Sequence, residues 1–571
     1  MITLGIHDGH TATACIMRDG KILACISEER LNRIKEWGGF PEKSILECLK
    51  IVHIQPSEID GVGIVGLLKP TIPETFHKPH LPKRIFSAAT HILPESFFQS
   101  TAWVKPAKLI LSYFRNKEEI RSRLKKLGIN AELTFYEHHF LHAVKAHYCC
   151  WFGTENNLVI TCDGSGDAVC ATVNIARGKN IERIVEISNY NSIGEFYTQI
   201  TQYLGMKPMS HEYKVMGLAP YAKEEYAKKT LQIFERFFEV NGKSPLMFRN
   251  TSGYWKWRFL DAFKEVLYGH RFDNIARAAQ SLIENILITW IRNCIAHTGI
   301  NNVVLSGGVF MNVKANELIL NLPEVKQLFI FPSCGDESLA ISAAIVKSLE
   351  LGQDNIEPLG PLYFGSEYNE EEIKEALSIV DKDFSIERIE DIDEFVGKQL
   401  AQGKVIARFT GRMEWGARAL GNRSILADAR NRDIVIKINE AIKNRDFWMP
   451  FAPSILEERA DEYLVNPKGF YAPYMIMAFQ TKEKARKDLI AALHPYDFTA
   501  RPQIVRESWN PSYYRVLKVF EEETGVGGIL NTSFNLHGDA IVCTPEDAIY
   551  TLKNSALDAL AIGDYYVTRK I

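Results

Sequence analysis

Two stretches of the chain repeat the same order of apolar and polar positions. Residues 2–29 and 157–188 each read as an apolar strand, an Asp-Gly turn, a strand of small residues, a second turn and a third strand. Two copies of one supersecondary unit predict a duplicated domain with a cleft between its halves. Glycine lets backbone N–H groups approach an anion, and the aspartate can hold a metal. Two simple hairpin turns are the alternative.

The rest of the first 350 residues alternates between helical and strand patterns. Helices are predicted at 41–53, 117–126 and 274–298, and strands at 303–306 and 328–331, with glycines after each strand. This alternation predicts an α/β fold with ligands at the carboxyl ends of the strands. Residues 68–110 fit neither period well, and we interpret 68–116 as an insertion that shapes a pocket.

A change of composition marks a second unit. Residues 352–361 look like a linker, so we predict two domains, 1–355 and 361–571. The second domain has its own α/β pattern, with a helix near 369–379 and a strand near 404–410.

The composition limits the class of protein. The 571 residues carry a formal net charge of −3, which gives no general attraction to nucleic acid or to an anionic membrane. The 10 cysteines include no C-x-x-C pair, which disfavours a thiolate zinc site. No apolar run approaches the roughly 20 residues of a membrane helix, and the N-terminus lacks the features of a signal peptide. We therefore expect a cytoplasmic protein without a nucleic-acid or membrane partner.

Four residues form the strongest candidate for a metal site. His138 and His142 are four residues apart, so on a helix they share one face. Asp163 and Asp336 each follow an apolar strand beside a glycine. This mixed nitrogen and oxygen set suits Fe(II), Mn or Zn better than a thiolate-loving metal. A histidine cluster satisfied within the core is the alternative.

Two further patterns suit phosphate groups. Gly307 and Gly308 follow a strand and open a predicted helix, an arrangement that can cradle a phosphate. In the second unit, arginines alternate with glycines between 408 and 424, and basic and small polar residues follow at Lys443, Arg445, Arg501 and 531–535. Arginine forks beside exposed backbone suit a nucleotide triphosphate or an acyl phosphate. A basic surface balanced by acidic residues is the alternative.

These motifs together resemble one family. The chain is similar to the O-carbamoyltransferases of antibiotic and nodulation-factor biosynthesis, in which a Kae1-like domain of the duplicated actin/Hsp70-type (ribonuclease H-like) fold precedes a YrdC-like α/β domain. The resemblance covers nearly the whole chain and is weakest in 68–116. It rests on His7-Asp8-Gly9, Glu28-Glu29-Arg30, His138-His139 with His142-Ala143, Asp163-Gly164 with Gly166-Asp167, Gly307-Gly308-Val309 with Asn312, Gly335-Asp336, Gly411 to Ser424, Pro450-Phe451-Ala452-Pro453 and Asn531 to Asn535.

The resemblance implies one reaction shared by two sites. ATP and carbamoyl phosphate would form carbamoyl adenylate in the C-terminal domain, releasing pyrophosphate and phosphate. The carbamoyl group would then pass to a hydroxyl of a small-molecule natural product in the N-terminal domain. The resemblance also implies Mg with ATP, and a metal, Fe(II) before Mn or Zn, on His138, His142, Asp163 and Asp336. A homodimer is left open.

The resemblance assigns roles to individual residues by their position in the motifs. The catalytic candidates are His7, Asp8, His10 and Lys35. The nucleotide-binding candidates are Gly9, Gly164, Gly166, Asp167, Gly307, Gly308 and Asn312. The candidates for binding ATP and carbamoyl phosphate are Arg412, Arg418, Arg423, Lys443, Arg445, Arg501, Ser533 and Asn535.

Two other functions stand as alternatives. A tRNA threonylcarbamoyl transferase shares both modules, but a net charge of −3 and a pI near 6.6 argue against a nucleic-acid substrate. A non-enzymatic protein related to sugar kinases would explain the duplicated fold. It would explain neither the arginine-rich second unit nor the metal set.

Overall fold

The computed structural model describes residues 1–68, 99, 101, 117–240, 244–255, 258–380 and 382–570. The chain divides into two compact units. The first comprises Met1–Leu23 and Glu36–Leu359, and the second comprises Ala24–Lys35 and Gly360–Ile571. The division after residue 359 falls inside the predicted linker, whereas the assignment of 24–35 to the second unit was not predicted. The 68–116 insertion lies outside the described residues except at 68, 99 and 101.

The first unit contains two five-stranded sheets and one two-stranded sheet among its described residues. Its strands are β1 (Ile2–His7), β2 (Thr13–Arg18), β3 (Lys21–Ser27, which continues into the second unit), β4 (Gly61–Val65), β5 (Glu132–Tyr136), β6 (Asn157–Gly166), β7 (Val169–Arg177), β8 (Asn180–Ser188), β9 (Phe238–Val240), β10 (Phe248–Asn250), β11 (Asn302–Ser306) and β12 (Gln327–Ile330).

The two five-stranded sheets share one topology. Their strand orders are β3-β2-β1-β4-β5 and β8-β7-β6-β11-β12. In the first sheet β1 pairs antiparallel with β2 and parallel with β4. In the second, β6 pairs antiparallel with β7 and parallel with β11. The repetition predicted from 2–29 and 157–188 is therefore confirmed in strand order.

Helices connect and cover these strands. They are Glu42–Val52, Lys117–Lys126, His138–Tyr148, Ile193–Tyr203, Glu212–Leu218, Glu224–Phe234, Phe259–Val266, Phe272–Thr298, Val313–Leu320 and Leu339–Glu350. The three helices predicted from apolar spacing are among them. The longest ends at Thr298, and the next residue, Gly299, has a φ of 67° in the left-handed region that favours glycine after a helix.

A helix lies directly against the first sheet because glycines leave room for it. A Cβ at Gly5 would lie 1.8 Å from the carbonyl oxygen of Ala340, and one at Gly63 would lie 2.3 Å from that of Ala343. The small residues of Leu339–Glu350 complete this close contact. The backbone of the helix that follows Asp336 is thereby fixed against β1 and β4.

The second unit is built on one mixed eight-stranded sheet, with the order β13-β20-β19-β14-β15-β18-β16-β17. Its strands are β13 (Phe384–Arg388), β14 (Ile406–Phe409), β15 (Arg423–Ala427), β16 (Ala452–Leu456), β17 (Gln503–Val505), β18 (Gly528–Ser533), β19 (Ala559–Ile562) and β20 (Tyr565–Arg569). Its helices are Glu28–Asn32, Glu370–Leu377, Ile392–Ala401, Asp433–Ile438, Ala460–Tyr463, Glu483–Asp488, Pro511–Thr524 and Pro545–Lys553.

Predicted elements of the second unit occur where the sequence placed them. The helix expected near 369–379 is Glu370–Leu377, and it begins with a capping box between Asn369 and Glu372. The strand expected near 404–410 is β14. Within the described ranges, no helix combines the length and the apolar character needed to cross a lipid bilayer. All 10 cysteines are buried and none is in a disulfide.

Candidate active site

Four side chains of the first unit converge on one point. The helix His138–Tyr148 places His138 and His142 one turn apart on one face. Asp163 lies near the end of β6, and Asp336 begins the turn that follows β12. The ligand atoms of all four residues lie within 4.8 Å of one another. The structure thus brings together the four residues that the sequence proposed as metal ligands.

The two imidazoles and the two carboxylates face a common centre. His138 Nε2 lies 3.2 Å from Asp163 Oδ2 and 3.3 Å from Asp336 Oδ1. His142 Nε2 lies 3.2 Å from Asp163 Oδ2 and 3.6 Å from Asp336 Oδ1. The two Nε2 atoms are 3.2 Å apart. Both histidines are buried, whereas the side chains of Asp163 and Asp336 remain 15% and 31% exposed.

Glycines bring the backbone close to Asp163. Its Oδ1 accepts hydrogen bonds from the N–H groups of Gly164 at 2.7 Å and Gly308 at 3.3 Å. A Cβ at Gly308 would lie 2.8 Å from that oxygen. Gly307 has a φ of +110°, and a Cβ there would lie 2.2 Å from the carbonyl oxygen of Cys162. Both the conformation and the space therefore require glycine at Gly307.

Hydrogen bonds behind the site orient the histidines. His142 Nδ1 lies 3.0 Å from Ser306 Oγ at the end of β11, which leaves Nε2 facing the centre. The carboxylate of Asp167 accepts hydrogen bonds from the N–H groups of His138 at 2.9 Å and Leu67 at 3.0 Å. Asp167, a nucleotide-binding candidate from the sequence, thus holds the backbone where the histidine-bearing helix begins.

The charges of the cluster favour a cation at its centre. Burial lowers the pKa of His138, but the carboxylates of Asp336 and Asp163 outweigh burial and raise that pKa well above its ordinary value. Burial raises the pKa of Asp336, but His138 and His142 hold it well below its usual range. The same imidazoles lower the pKa of Asp163 against the effects of burial and of Asp336. Positive charge is therefore stabilised among these groups.

The residues fit a divalent metal. Asp336 Oδ1 lies 3.3 Å from His138 Nε2 and 3.6 Å from His142 Nε2, and Asp163 Oδ2 lies 3.2 Å from both nitrogens. A cation at this point would neutralise the two carboxylates that converge there. Two imidazole nitrogens and two carboxylates form a donor set that suits Fe(II), Mn or Zn.

His7 lies beside the cluster at the end of β1. Its Nε2–H donates to the carbonyl oxygen of His10 at 2.8 Å, and no described group occupies its buried Nδ1. Burial lowers the pKa of His7 to about 4, although Asp336 and Asp8 act in the opposite direction. The ring is therefore neutral at physiological pH, with Nδ1 as its acceptor nitrogen.

Lys35 differs from the sequence expectation. The sequence grouped it with His7 and His10 in the N-terminal domain, but the structure assigns it to the second unit. The reason is a set of long-range contacts made by the preceding residues. Arg33 donates to the carbonyl oxygens of Ile541 at 2.6 Å and Ala540 at 2.9 Å.

The predicted nucleotide-binding residues of the first unit lie in different surroundings. Gly164, Gly307 and Gly308 surround Asp163, as described above. Gly166 lies so close to His138 that a Cβ would be 2.0 Å from its ring.

Asn312 and Gly9 make other contacts. The side-chain amide of Asn312 pairs with that of Gln280 through two bonds of 2.9 Å. Its oxygen also accepts from the Ala315 N–H at 3.1 Å and so caps the helix Val313–Leu320. The carbonyl of Gly9 accepts from the Gly39 N–H at 3.3 Å.

In the second unit, Lys443 is the centre of a buried polar group. Its Nζ donates to Asn535 Oδ1 at 2.8 Å, to Ser533 Oγ at 3.2 Å and to the carbonyl of Ser533. Burial, together with the positive charges of Arg445 and Lys35, lowers the pKa of Lys443 well below its ordinary value. Four predicted phosphate-site residues and Lys35 therefore lie in one electrostatic neighbourhood.

Arg445 and Arg423 differ in how their guanidinium groups are used. Arg445 donates to Thr532 Oγ1 at 2.9 Å. Arg423 is fully buried, lies 3.7 Å over the ring of Phe409 and donates to the carbonyl of Thr410 at 2.8 Å. Backbone carbonyls accept from its two terminal nitrogens, whereas no described group accepts from its buried Nε.

The other predicted arginines are partly exposed. Arg412 donates to the carbonyls of Phe364 at 2.8 Å and Gly365 at 3.2 Å, which directs its charge to the backbone. Arg418 and Arg501 are both half-buried.

Sequence reasoning missed several residues that shape these sites. Ser306 orients His142. Its position directly before the two glycines that follow β11 could have identified it from the sequence. Lys145 follows His142 by three residues and was detectable as a charge on the same helical face. Glu414 is buried, and its Oε1 accepts from the N–H groups of Leu420 at 2.6 Å and Arg423 at 3.1 Å. Its partners along the loop could not be read from spacing alone.

The chain matches family models over both of its parts. A model described as carbamoyltransferase N-terminus matches residues 2–345, and one described as carbamoyltransferase C-terminus matches residues 397–569. An uncharacterized protein of Methanocaldococcus jannaschii is 32% identical, over 99% of each chain. Nodulation protein NolNO of Sinorhizobium fredii is 31% identical, over 99% of this chain and 79% of its own. The 3'-hydroxymethylcephem-O-carbamoyltransferase of Amycolatopsis lactamdurans is 30% identical, over 46% of this chain and 48% of its own.

The chain belongs to the carbamoyltransferase family. The resemblance drawn from its sequence motifs is confirmed, and the protein is a transferase enzyme with a mixed α/β fold. The alternative of a tRNA threonylcarbamoyl transferase is not favoured by these matches.

Proposed function

We propose that the protein is an ATP-dependent O-carbamoyltransferase that acts on a hydroxyl group of a small molecule. The observation that carries the proposal is the convergence of His138, His142, Asp163 and Asp336 in the unit that matches the N-terminal carbamoyltransferase model. Nodulation and cephem-modifying relatives support a small hydroxylated acceptor. We assign the first unit to the duplicated Kae1-like fold and the second to the YrdC-like fold.

The donor is activated in the second unit. Water cleaves carbamoyl phosphate to carbamate and phosphate. A carbamate oxygen then attacks the α-phosphorus of ATP, which forms an O–P bond and expels pyrophosphate. Lys443 and Arg445 neutralise the phosphates, with Mg accompanying ATP, and Ser533 and Asn535 supply polar contacts. The product is carbamoyl adenylate.

Transfer takes place in the first unit. The acceptor hydroxyl oxygen attacks the carbamoyl carbon, the bond from that carbon to AMP breaks, and AMP leaves. His7 takes the hydroxyl proton, because burial keeps its ring neutral and the His10 carbonyl occupies the other nitrogen. Gly307, Gly308 and Asn312 hold the nucleotide. A divalent metal on the four ligands would supply Lewis-acid polarisation of a carbonyl or phosphoryl oxygen.

The experiment measures pyrophosphate release from ATP and carbamoyl transfer to 3'-hydroxymethylcephem and a pool of other hydroxylated acceptors. His138→Ala should abolish transfer and retain pyrophosphate release, whereas Lys443→Met should block pyrophosphate release first. His147→Ala is the matched control. It lies on the same helix but bonds to the carbonyl of Gly178 at 2.8 Å, outside the cluster.

Three results would count against the proposal. Pyrophosphate release that requires threonine and bicarbonate would favour the tRNA-directed alternative. Loss of both half-reactions in folded His138→Ala would remove the division into two sites. Absence of any turnover by metal-loaded wild-type protein would remove the enzymatic assignment of both sites.

A further inference from the structure

A third residue of the histidine-bearing helix is directed toward the same region. Lys145 follows His138 by seven residues and His142 by three, so all three lie on one helical face. Lys145 is fully buried, which is unusual for lysine because burying an ammonium group is costly unless it is bonded and paired. Its hydrogen-bond partners therefore indicate which part of the structure the ammonium group stabilises.

Those partners belong to the turn that carries Asp336. Lys145 Nζ donates to the carbonyl of Gly335 at 3.3 Å and to the hydroxyl of Ser338. The Ser338 hydroxyl also donates to the Gly335 carbonyl, at 2.7 Å. The residues on both sides of Asp336–Glu337 are thus tied to one ammonium group. The same ammonium lies 5.1 Å over the ring of Phe331, which precedes the turn.

We propose that Lys145 is a positioning residue, which holds the Gly335–Ser338 turn so that Asp336 faces His138 and His142. The inference rests on the metal site of the proposed function. It assigns the lysine no contact with metal or substrate. The competing explanation is that Lys145 only balances nearby negative charge such as Glu337 and is otherwise structural.

The two explanations predict opposite signs for metal affinity. A positive charge beside a cation site repels the cation, so removing it should strengthen binding if charge alone matters. If Lys145 positions Asp336, removing it should weaken binding, because partners that orient metal ligands typically contribute about 10–100-fold in affinity. Ser338→Ala keeps the lysine charge and removes one hydrogen bond, so only positioning predicts an effect there.

The test measures Mn²⁺ binding to the full chain at neutral pH from the electron paramagnetic resonance signal of free Mn²⁺. Lys145→Met should raise the dissociation constant about 10–100-fold, and Ser338→Ala about fivefold. Lys347→Met is the matched control. Lys347 is a second buried lysine of this unit, and it bonds to Glu132 and Thr134, each at 3.0 Å. The Lys347→Met variant should be less stable than wild type and should bind Mn²⁺ with wild-type affinity.

The outcomes separate this inference from the proposed function. Unchanged or tighter Mn²⁺ binding by folded Lys145→Met would overturn the positioning role while leaving the metal site intact. An equal loss of affinity in Lys347→Met would also overturn it, because the effect would then follow general destabilisation. Failure of wild-type protein to bind Mn²⁺ would overturn the metal site and, with it, the role of Lys145. Circular dichroism establishes which variants are folded.

Discussion

A methyl group added at Gly166 should displace the His138 ring and so disable the proposed metal site. A Cβ at Gly166 would lie 2.0 Å from Cγ and 2.1 Å from Cδ2 of His138. The backbone at Gly166 is not in the left-handed region, so Gly166→Ala introduces a steric change without strain in φ. The variant therefore tests whether the place of the His138 ring matters, with its chemistry unaltered.

The magnitude follows from the contact distances. Carbon atoms in contact lie about 3.5–4.0 Å apart, so the His138 ring must move by about 1.5 Å. Metal–ligand distances tolerate only about 0.2 Å, so His138 leaves the ligand set. Changes to groups behind the ligands already cost about 10–100-fold, and we expect at least about 100-fold weaker Mn²⁺ binding. The unfolding free energy should fall by about 1–3 kcal/mol, as for other overpacked sites.

The assay compares Mn²⁺ dissociation constants and thermal unfolding of Gly166→Ala and Gly164→Ala. Gly164 lies on the same strand, and a Cβ there would meet only Glu195 Oε1, at 3.8 Å. Alanine at this position also retains the N–H that bonds to Asp163. We expect the Mn²⁺ affinity of Gly164→Ala to stay within about threefold of wild type, a change of less than 1 kcal/mol. Wild-type affinity in folded Gly166→Ala would refute the assignment of His138 as a ligand.

Three further changes test other parts of the structure. Ser306→Ala removes the partner of His142 Nδ1 and should weaken Mn²⁺ binding about 10–100-fold; unchanged affinity would mean that the hydrogen bond does not orient the ring. Because the pKa of Lys443 is lowered, this side chain loses its proton at a lower pH than an ordinary lysine, and a bound anion should restore the proton. Inorganic phosphate binding can be measured by calorimetry at alkaline pH in two buffers, which reports the protons taken up. We expect proton uptake by wild type and none by Lys443→Met. Equal uptake by both would exclude Lys443 as the group that gains the proton. Arg33→Met should destabilise the second unit by about 1–3 kcal/mol in scanning calorimetry, since two carbonyls lose their donor; an unchanged transition would show that Ala24–Lys35 is not integral to that unit.

Local patterns predicted the cluster of two histidines and two aspartates because its geometry follows from helical spacing and strand order. Helical spacing puts His138 and His142 on one face. Strand order then places Asp163 and Asp336 at the same edge of a sheet, since β6 and β12 both flank β11 in parallel. The glycines near the ends of these strands could also be recognised in the sequence, because they occupy positions where the backbone must approach a carboxylate.

Helical spacing and strand order could not predict contacts between residues that are far apart in the sequence. Arg33 bonds to Ile541 across 508 residues, and no periodicity links the two positions. Lys35 was grouped with His7 by its position in the family motifs, whereas the compact units place residue 35 with the second unit.

Arg423 illustrates a second limit. An arginine among glycines is typical of phosphate binding, and the sequence placed it there. In the structure, carbonyl groups of the loop and Ser366, with the Phe409 ring, surround the guanidinium. Whether an arginine faces an anion or the backbone depends on which acceptors the fold brings to it, and that is a property of tertiary structure.

The proposed function requires that ATP and carbamoyl phosphate combine to give carbamoyl adenylate. Its most direct test incubates wild-type protein with ATP and carbonyl-labelled carbamoyl phosphate, and follows the label and the pyrophosphate in one reaction. We expect one pyrophosphate for each labelled carbamoyl adenylate formed, and no pyrophosphate without carbamoyl phosphate. Release of ADP and phosphate instead of pyrophosphate, or pyrophosphate release that ignores carbamoyl phosphate, would contradict it.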